Sequence, residues 1–464
     1  MMRTKKHISL LAGLLRCSLG LVMLLMGVEA NAQLQNDNIV PKVNSPLSRF
    51  GLGDPVRQYF VASSGMAGLS AAWQDPYHLN MQNPAALGHL VSTAFEGALF
   101  AKNSNFTSPT AEDNTWGGNL EYLALGFPFR NQINQSLDRK SNDWNVGMSI
   151  ALMPFTQVGY NLSLIDTISP GVEQSTNNLK GAGGTSRVRW GVGGRYRQFS
   201  FGAEIGFLFG EIINSRLVQF DSLPTSLSAE FLDDFSFRGT TWNFGAQYTY
   251  SFKKPNADGE LVPTGKRIIL GATFASEATE DATSTQFIRR YRGVQSDTLV
   301  LETINDEMIL PSSFTVGLHY QELNKLNVGI EYGQTNWDNY SNPLKPDRLT
   351  NTSFLAIGGE FVPNYKSYNS YFQRIRYRAG VRLETDPRTL TSSATGEGGQ
   401  AESRSVTLGF GFPLVMPRQQ VSFVNTAVEF GQIGVDGLLE ENFVRFTLGF
   451  TFNDNSWFFK RKFN

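Results

Sequence analysis

The 464-residue sequence predicts an all-β fold: a transmembrane antiparallel β-barrel of about 14 strands with an N-terminal plug segment. Three observations lead there. Many segments alternate apolar and charged residues with a period of two, which is the side-chain period of a strand. The composition combines 12% aromatic residues, 35 Phe and 45 Gly with only 17% charged residues, yet mean hydropathy is just −0.22, as expected when lipid-facing and lumen-facing residues alternate. Outer-membrane barrels carry long outer loops and tight inner turns, and several inner connections are tight (Gln198, Glu322–Lys325 and Val415–Gln420), although 130–142, 253–265 and 363–373 are longer than that rule predicts.

The clearest alternation lies in Ser186–Gly210. Val188, Trp190, Val192 and Tyr196 fall on one side, and Arg187, Arg189, Arg195 and Arg197 on the other. After Gln198, Phe199, Phe201, Ile205, Phe207 and Phe209 oppose Glu204 and a row of glycines. Lipid outside and a wet lumen inside satisfy both faces, whereas a soluble sandwich would expose only one of them.

The chain opens with Arg3, Lys5 and Lys6, an apolar run from Leu10 to Met26, and Ala30-Asn31-Ala32 before Gln33. That pattern predicts a signal peptide over residues 1–32. Arg16 before Cys17, the only cysteine, and the unbroken apolar run after it argue against lipidation, so the exported chain carries no thiol. Residues 33–90 are rich in small and turn-forming residues without a period of two, which predicts a loop-rich plug or periplasmic arm.

Residues 91–452 are then read as the barrel, with strands at 91–100, 118–129, 143–160, 186–197, 199–210, 237–252, 266–276, 312–321, 325–336, 352–362, 374–384, 403–413, 421–432 and 442–452. With a periplasmic N-terminus, the outer loops would be 101–117, 161–185, 211–236, 277–311, 337–351, 385–402 and 433–441. Residues 453–464 form a short inner tail with Trp457, Phe458 and Phe459 suited to a membrane interface. The same parity sends Arg376 and Arg378 inward with Glu96, Glu331, Glu360 and Glu429, so acid and base would face each other in the lumen as an ion-pair network or, more sharply, as a ligand-carboxylate site.

Chemistry-bearing motifs are missing. His78, His89 and His319 are scattered without metal-ligand spacing, the serines in Gly68–Ala72 and Gly147–Ala151 lack the second glycine of a nucleophile elbow, and Gly191–Gly194 sits inside a strand. The expectation is a non-enzyme without cofactor or metal. A formal net charge of −1 gives no reason to expect nucleic acid.

The stretch Leu310–Tyr340, with Pro311, Gly317, Tyr320, Thr335, Trp337 and Tyr340, resembles a hairpin of the FadL-type outer-membrane transporters of long-chain fatty acids and other hydrophobic compounds. The upstream Gly65-Met66-x-Gly68 and Asn83-Pro84-Ala85 resemble that family's hatch. The resemblance implies an outer-membrane location in a Gram-negative bacterium, a barrel gated by its N-terminal hatch, and passive uptake of a hydrophobic small molecule from a lipid setting. It also implies capture by apolar outer loops and a side opening at a kinked third strand. In this chain, Leu223, Leu227 and Phe231 recur every four residues, and Leu301, Ile304 and Met308 at three and four, which predicts short apolar helices in two outer loops. Pro154, next to Phe155, lacks an N–H and would interrupt the third strand. The stretch Gln33–Tyr59 and the tail 453–464 exceed the family pattern. They favour the alternative, the same barrel as an accessory or scaffold subunit of an outer-membrane secretion or assembly complex.

Overall fold

The alternation is realised in space: Trp190 is 49% exposed, while its neighbour Arg189 is 2% exposed. Phe207, Val381 and Phe450 also face outward, and Glu204, Arg378 and Glu429 are buried inside. The computed structural model describes residues 44–130, 143–169, 173–220, 226–255, 260–292, 295–391, 398–416 and 420–454, all within one compact unit, 40–464. The predicted signal peptide, Leu223 and the tail from 455 onward lie outside the described residues.

Sixteen long strands follow in order: β1 Thr93–Thr107, β2 Glu112–Pro128, β3 Trp144–Ser169, β4 Glu173–Tyr196, β5 Phe199–Phe220, β6 Ser228–Pro255, β7 Leu261–Ala275, β8 Ala278–Arg292, β9 Gln295–Leu310, β10 Ser313–Glu322, β11 Leu326–Thr335, β12 Thr352–Phe361, β13 Arg376–Thr391, β14 Gly398–Val415, β15 Val421–Val435 and β16 Leu439–Asp454. Fourteen of them form the wall. Each pairs antiparallel with its neighbour, and β16 returns to β1 from Glu440↔Thr107 to Asp454↔Thr93, closing the cylinder. Closure removes the sheet edge around the ring, the condition under which backbone amides tolerate hydrocarbon, except above Leu123↔Leu152, where β2 and β3 part.

The remaining two strands make a hairpin above the ring. The lower half of β6 pairs with β7 (Asn243↔Ala275 onward), while its upper half pairs with β8 (Ser228↔Tyr291 to Arg238↔Asp281). Strand β7 pairs with β10, so β8 and β9 stand on the rim.

All fourteen wall strands were legible, but six of the seven expected outer loops, 101–117, 161–185, 211–236, 277–311, 385–402 and 433–441, are largely strand, and only 337–351 is not. Strands β4 and β5 stay in register over 22 residue pairs, Tyr196↔Phe199 to Ser175↔Phe220. Lipid imposes the apolar-out pattern only at membrane depth. Above it the outward face no longer meets hydrocarbon, so polar runs such as Asn214–Ser215 give no period-two signal. For the same reason the predicted apolar helices are absent among the described residues: Phe231 lies in β6, Leu301, Ile304 and Met308 lie in β9, and Leu227 is exposed just before β6.

Candidate functional site

Residues 44–92 lie inside the barrel, and inward-facing wall side chains hold their backbone. Buried N–H and C=O groups need partners, and in a loop-rich segment these must come from elsewhere. The Glu331 carboxylate on β11 accepts from the N–H groups of Ser70 and Ala71, both at 2.6 Å. Glu96 on β1 accepts from Leu79 N–H at 2.7 Å. On β4, Arg189 donates to the Met81 carbonyl at 2.8 Å and to Glu204 at 2.5 Å. Asn145 donates to the Gly88 carbonyl (2.8 Å), Gln247 to the Ala71 carbonyl (3.0 Å), and Thr407 Oγ1 accepts from Ala67 N–H (2.9 Å).

Ion pairs add a second layer. Arg376 on β13 donates to Asp75 at 2.6 Å, and Arg378 to Glu360 at 2.8 Å. Asp75 also pairs with His78 at 3.0 Å. Burial alone would raise the Asp75 carboxyl, but Arg376 and His78 outweigh it and hold Asp75 well below the usual carboxylate range. Burial pushes His78 down, toward its neutral form. Arg376–Asp75 thus ties the wall to the interior, while Arg378–Glu360 joins neighbouring wall strands, a difference that a two-faced strand pattern cannot display.

The hatch-like residues come together here. Asn83 is fully buried, donates to the Ala71 carbonyl at 2.5 Å, and accepts from Ala85 N–H at 3.0 Å, capping a 3-10 turn over Pro84–His89. Pro84 sits against Gly193 of β4, where a Cβ would meet its carbonyl oxygen at 2.0 Å. Met66 is fully buried beside Trp73, Gly65 touches Gly409, and Gly68 has φ +77°, a left-handed turn under the Tyr59 ring. Wall glycines that face inward thus mark the footprint of the inserted segment, a signal already present in Gly191–Gly194.

The predicted lumen charges separate. Arg187 stacks on Phe155 at 4.1 Å, Arg195 passes close to Gly88, and Arg189, Glu204, Arg376 and Arg378 are engaged as above. Arg197 is corrected: it lies in the tight turn after β4 with φ +54° and pairs with Asp143 at 3.2 Å, both well exposed. The turn takes Arg197 out of the alternating register, so parity does not place it.

The wall is interrupted beside Pro154. Strands β2 and β3 pair only from Pro128↔Gly147 to Leu123↔Leu152, and the β3–β4 register shifts between Pro154 and Thr156. Above that level residues 44–58 run along β3: Asp54 and Pro55 pair with Gln157 and Thr156, Val56 N–H donates to the Phe155 carbonyl (2.9 Å), and Ser45 N–H to the Gly159 carbonyl (2.7 Å). The upper lumen nearby is apolar, with Leu52, Tyr160, Leu208, Ile212, Phe235 and Met308 in one buried cluster. Among the described residues, a cavity of about 300 Å³ opens at the gap itself, lined by Pro154, Thr156, Gln157 and Asn119, and two of about 280 Å³ lie deeper. One is ringed by charged groups including Arg57, Arg382, Glu384 and Glu429; the other, between Arg187, Phe155, Trp242, Phe314 and Trp337, is more apolar. Among the described residues no three His, Cys, Asp or Glu side chains are grouped to hold a metal.

The fold is that of the FadL type. The Pseudomonas putida toluene transporter TodX superposes with a TM-score of 0.51 at 16% identity, covering 87% of this chain and 99% of that one. A Pseudomonas aeruginosa FadL homologue superposes with a TM-score of 0.52 at 13% identity, covering 86% and 99%. No curated protein matches. The BamG family model matches residues 17–464, nearly the whole sequence, and the chain belongs to the BamG family.

Proposed function

We propose that this FadL-type barrel is a sealed outer-membrane protein that works as an accessory or scaffold subunit of an outer-membrane assembly or secretion complex. The observation that carries the reading is self-occupancy: the N-terminal segment fills the lumen through short buried bonds such as Glu331 to Ser70 and Ala71, and also runs along the gap in the wall. A route already filled at both places is poorly suited to passage. The inner end of the barrel offers a surface for a partner, since the β12–β13 connection exposes Tyr365, Tyr368 and Phe372; aromatic side chains are also at home at a membrane interface.

Uptake of hydrophobic molecules is the second reading. The apolar cluster at the upper lumen and the cavity beside Phe155 favour it, as does the likeness to a structure described as a toluene transporter. In that reading the hatch around Asn83 and Pro84 would move to open the path, with Leu301 at the rim and Met308 in the upper lumen meeting the ligand first. Gentle isolation of the tagged chain from its own membrane separates the two. A stoichiometric protein partner and no enriched small molecule supports the subunit; an extractable hydrophobic compound at one per chain without a partner supports uptake and defeats the proposal.

A further inference from the structure

The gap between β2 and β3 is covered unevenly. On the β3 side the arm 44–58 makes a short run of backbone bonds, and Ser48 bonds both backbone groups of Gly159, Asn44 Oδ1 accepts from Asn161 N–H at 3.2 Å and Gln58 donates to the Pro154 carbonyl at 2.8 Å; Pro55 has no N–H to give, and the Gln157 side-chain amide nitrogen stays without a partner. On the β2 side Thr115 Oγ1 donates to the Asn44 carbonyl at 3.1 Å. Stronger contacts come from across the lumen. Asp54 pairs with Arg388 of β13, which is also held by Asp386 at 2.6 Å. Arg57 reaches Glu384 and Glu429, each at 3.1 Å. From the β11–β12 connection, Asp347 accepts from Gly51 N–H at 2.7 Å, and Lys345 donates to the Gly51 carbonyl at 3.0 Å.

We propose that residues 44–58 are a releasable strap over the gap in the wall, lying on β3 through neutral hydrogen bonds and fastened to the opposite side of the barrel by these ion pairs. Breaking the Asp54–Arg388 pair would free the arm and uncover the gap between β2 and β3, leaving the plug at 59–92 in place. The arrangement stands whether the barrel serves as a subunit or as an uptake channel.

Thr156, 3% exposed, is the ladder partner of Pro55 and is a suitable reporter. The test uses the full chain with Cys17→Ser in lipid nanodiscs, a single Thr156→Cys, and a water-soluble maleimide. A matched probe, Ser200→Cys, sits under His89 in the plug, whose ring nitrogen lies 2.9 Å from the Ser200 hydroxyl. Removing one partner of a partly buried pair, by Arg388→Gln or separately by Asp54→Asn, is expected to speed labelling at Thr156→Cys by about tenfold or more, leaving Ser200→Cys unchanged. Unchanged labelling at Thr156→Cys in a folded variant overturns the strap. So does an equal rise at both probes, which would mean that the whole interior loosens together. If Arg388→Gln fails to fold, Asp54→Asn decides alone.

Discussion

Glu331 is the side chain whose loss should most clearly undo the seal. Its carboxylate is buried at 2% exposure and takes two N–H groups, Ser70 and Ala71, at 2.6 Å. Glu331→Ala leaves both donors inside the barrel without an acceptor, and each such orphan costs ~1–3 kcal/mol, so about 2–6 kcal/mol in all. At ~1.4 kcal/mol per decade, the undocked population of the turn around Ser70 should rise roughly 30-fold to more than 10,000-fold. Amide hydrogen exchange at 69–73, read by mass spectrometry on the protein in nanodiscs, measures that population directly. Glu331→Gln keeps one oxygen acceptor and should fall between wild type and Glu331→Ala. The wall strands should keep their protection in both variants, because β10, β11 and β12 bond one another through their backbones. Exchange at Ser70 and Ala71 within threefold of wild type in Glu331→Ala would refute the reasoning.

Three further outcomes follow from the same geometry. Phe207→Arg puts a cation on the lipid face and should cost about 2–4 kcal/mol near the bilayer midplane, measured by reversible urea unfolding into vesicles; a cost below about 1 kcal/mol would mean that Phe207 does not meet hydrocarbon. Gly193→Val drives a side chain into the Pro84 carbonyl, which an ideal Cβ already approaches to 2.0 Å, so exchange at 83–89 should accelerate while the strands stay protected. The docked plug should also loosen on acidification. Asp75 is depressed when docked, so its contribution is present above the undocked carboxyl value of about 4 and is lost as pH falls below it. His78 is depressed too, and it begins to oppose docking once pH drops below its free value of about 6.5. Plug exchange flat from pH 8 to pH 4, after correction for intrinsic rates, would contradict the His78 part.

The wall was readable because lipid writes a two-residue code that a single sequence displays. Val444, Phe446 and Phe450 in β16 and Ile205, Phe207 and Phe209 in β5 all carry it. The rim was not readable, since in β8 the outward face carries Thr279, Asp281 and Thr283 and the buried inward face mixes Ala278 and Ala282 with Glu280 and Ser284, so apolar and polar residues do not alternate. The interior was half readable. Parity put Glu331, Glu96 and Arg189 in the lumen, but their partners are backbone atoms of Ser70, Leu79 and Met81, and backbone groups carry no residue identity. The wall strands' glycines were the missed clue: Gly193 and Gly271 have no room for a side chain because Pro84 and Ala71 press against them. The strap was visible only as excess length before Tyr59, since Asp54 and Arg388 lie 334 positions apart.

In the function proposed here, the chain's own N-terminal segment stops the barrel. Wild-type protein inserted in a planar bilayer should therefore show no unitary current across moderate voltages at neutral pH, with Glu331→Ala combined with Arg388→Gln giving intermittent openings. A sustained, uniform conductance in the wild-type protein would contradict it.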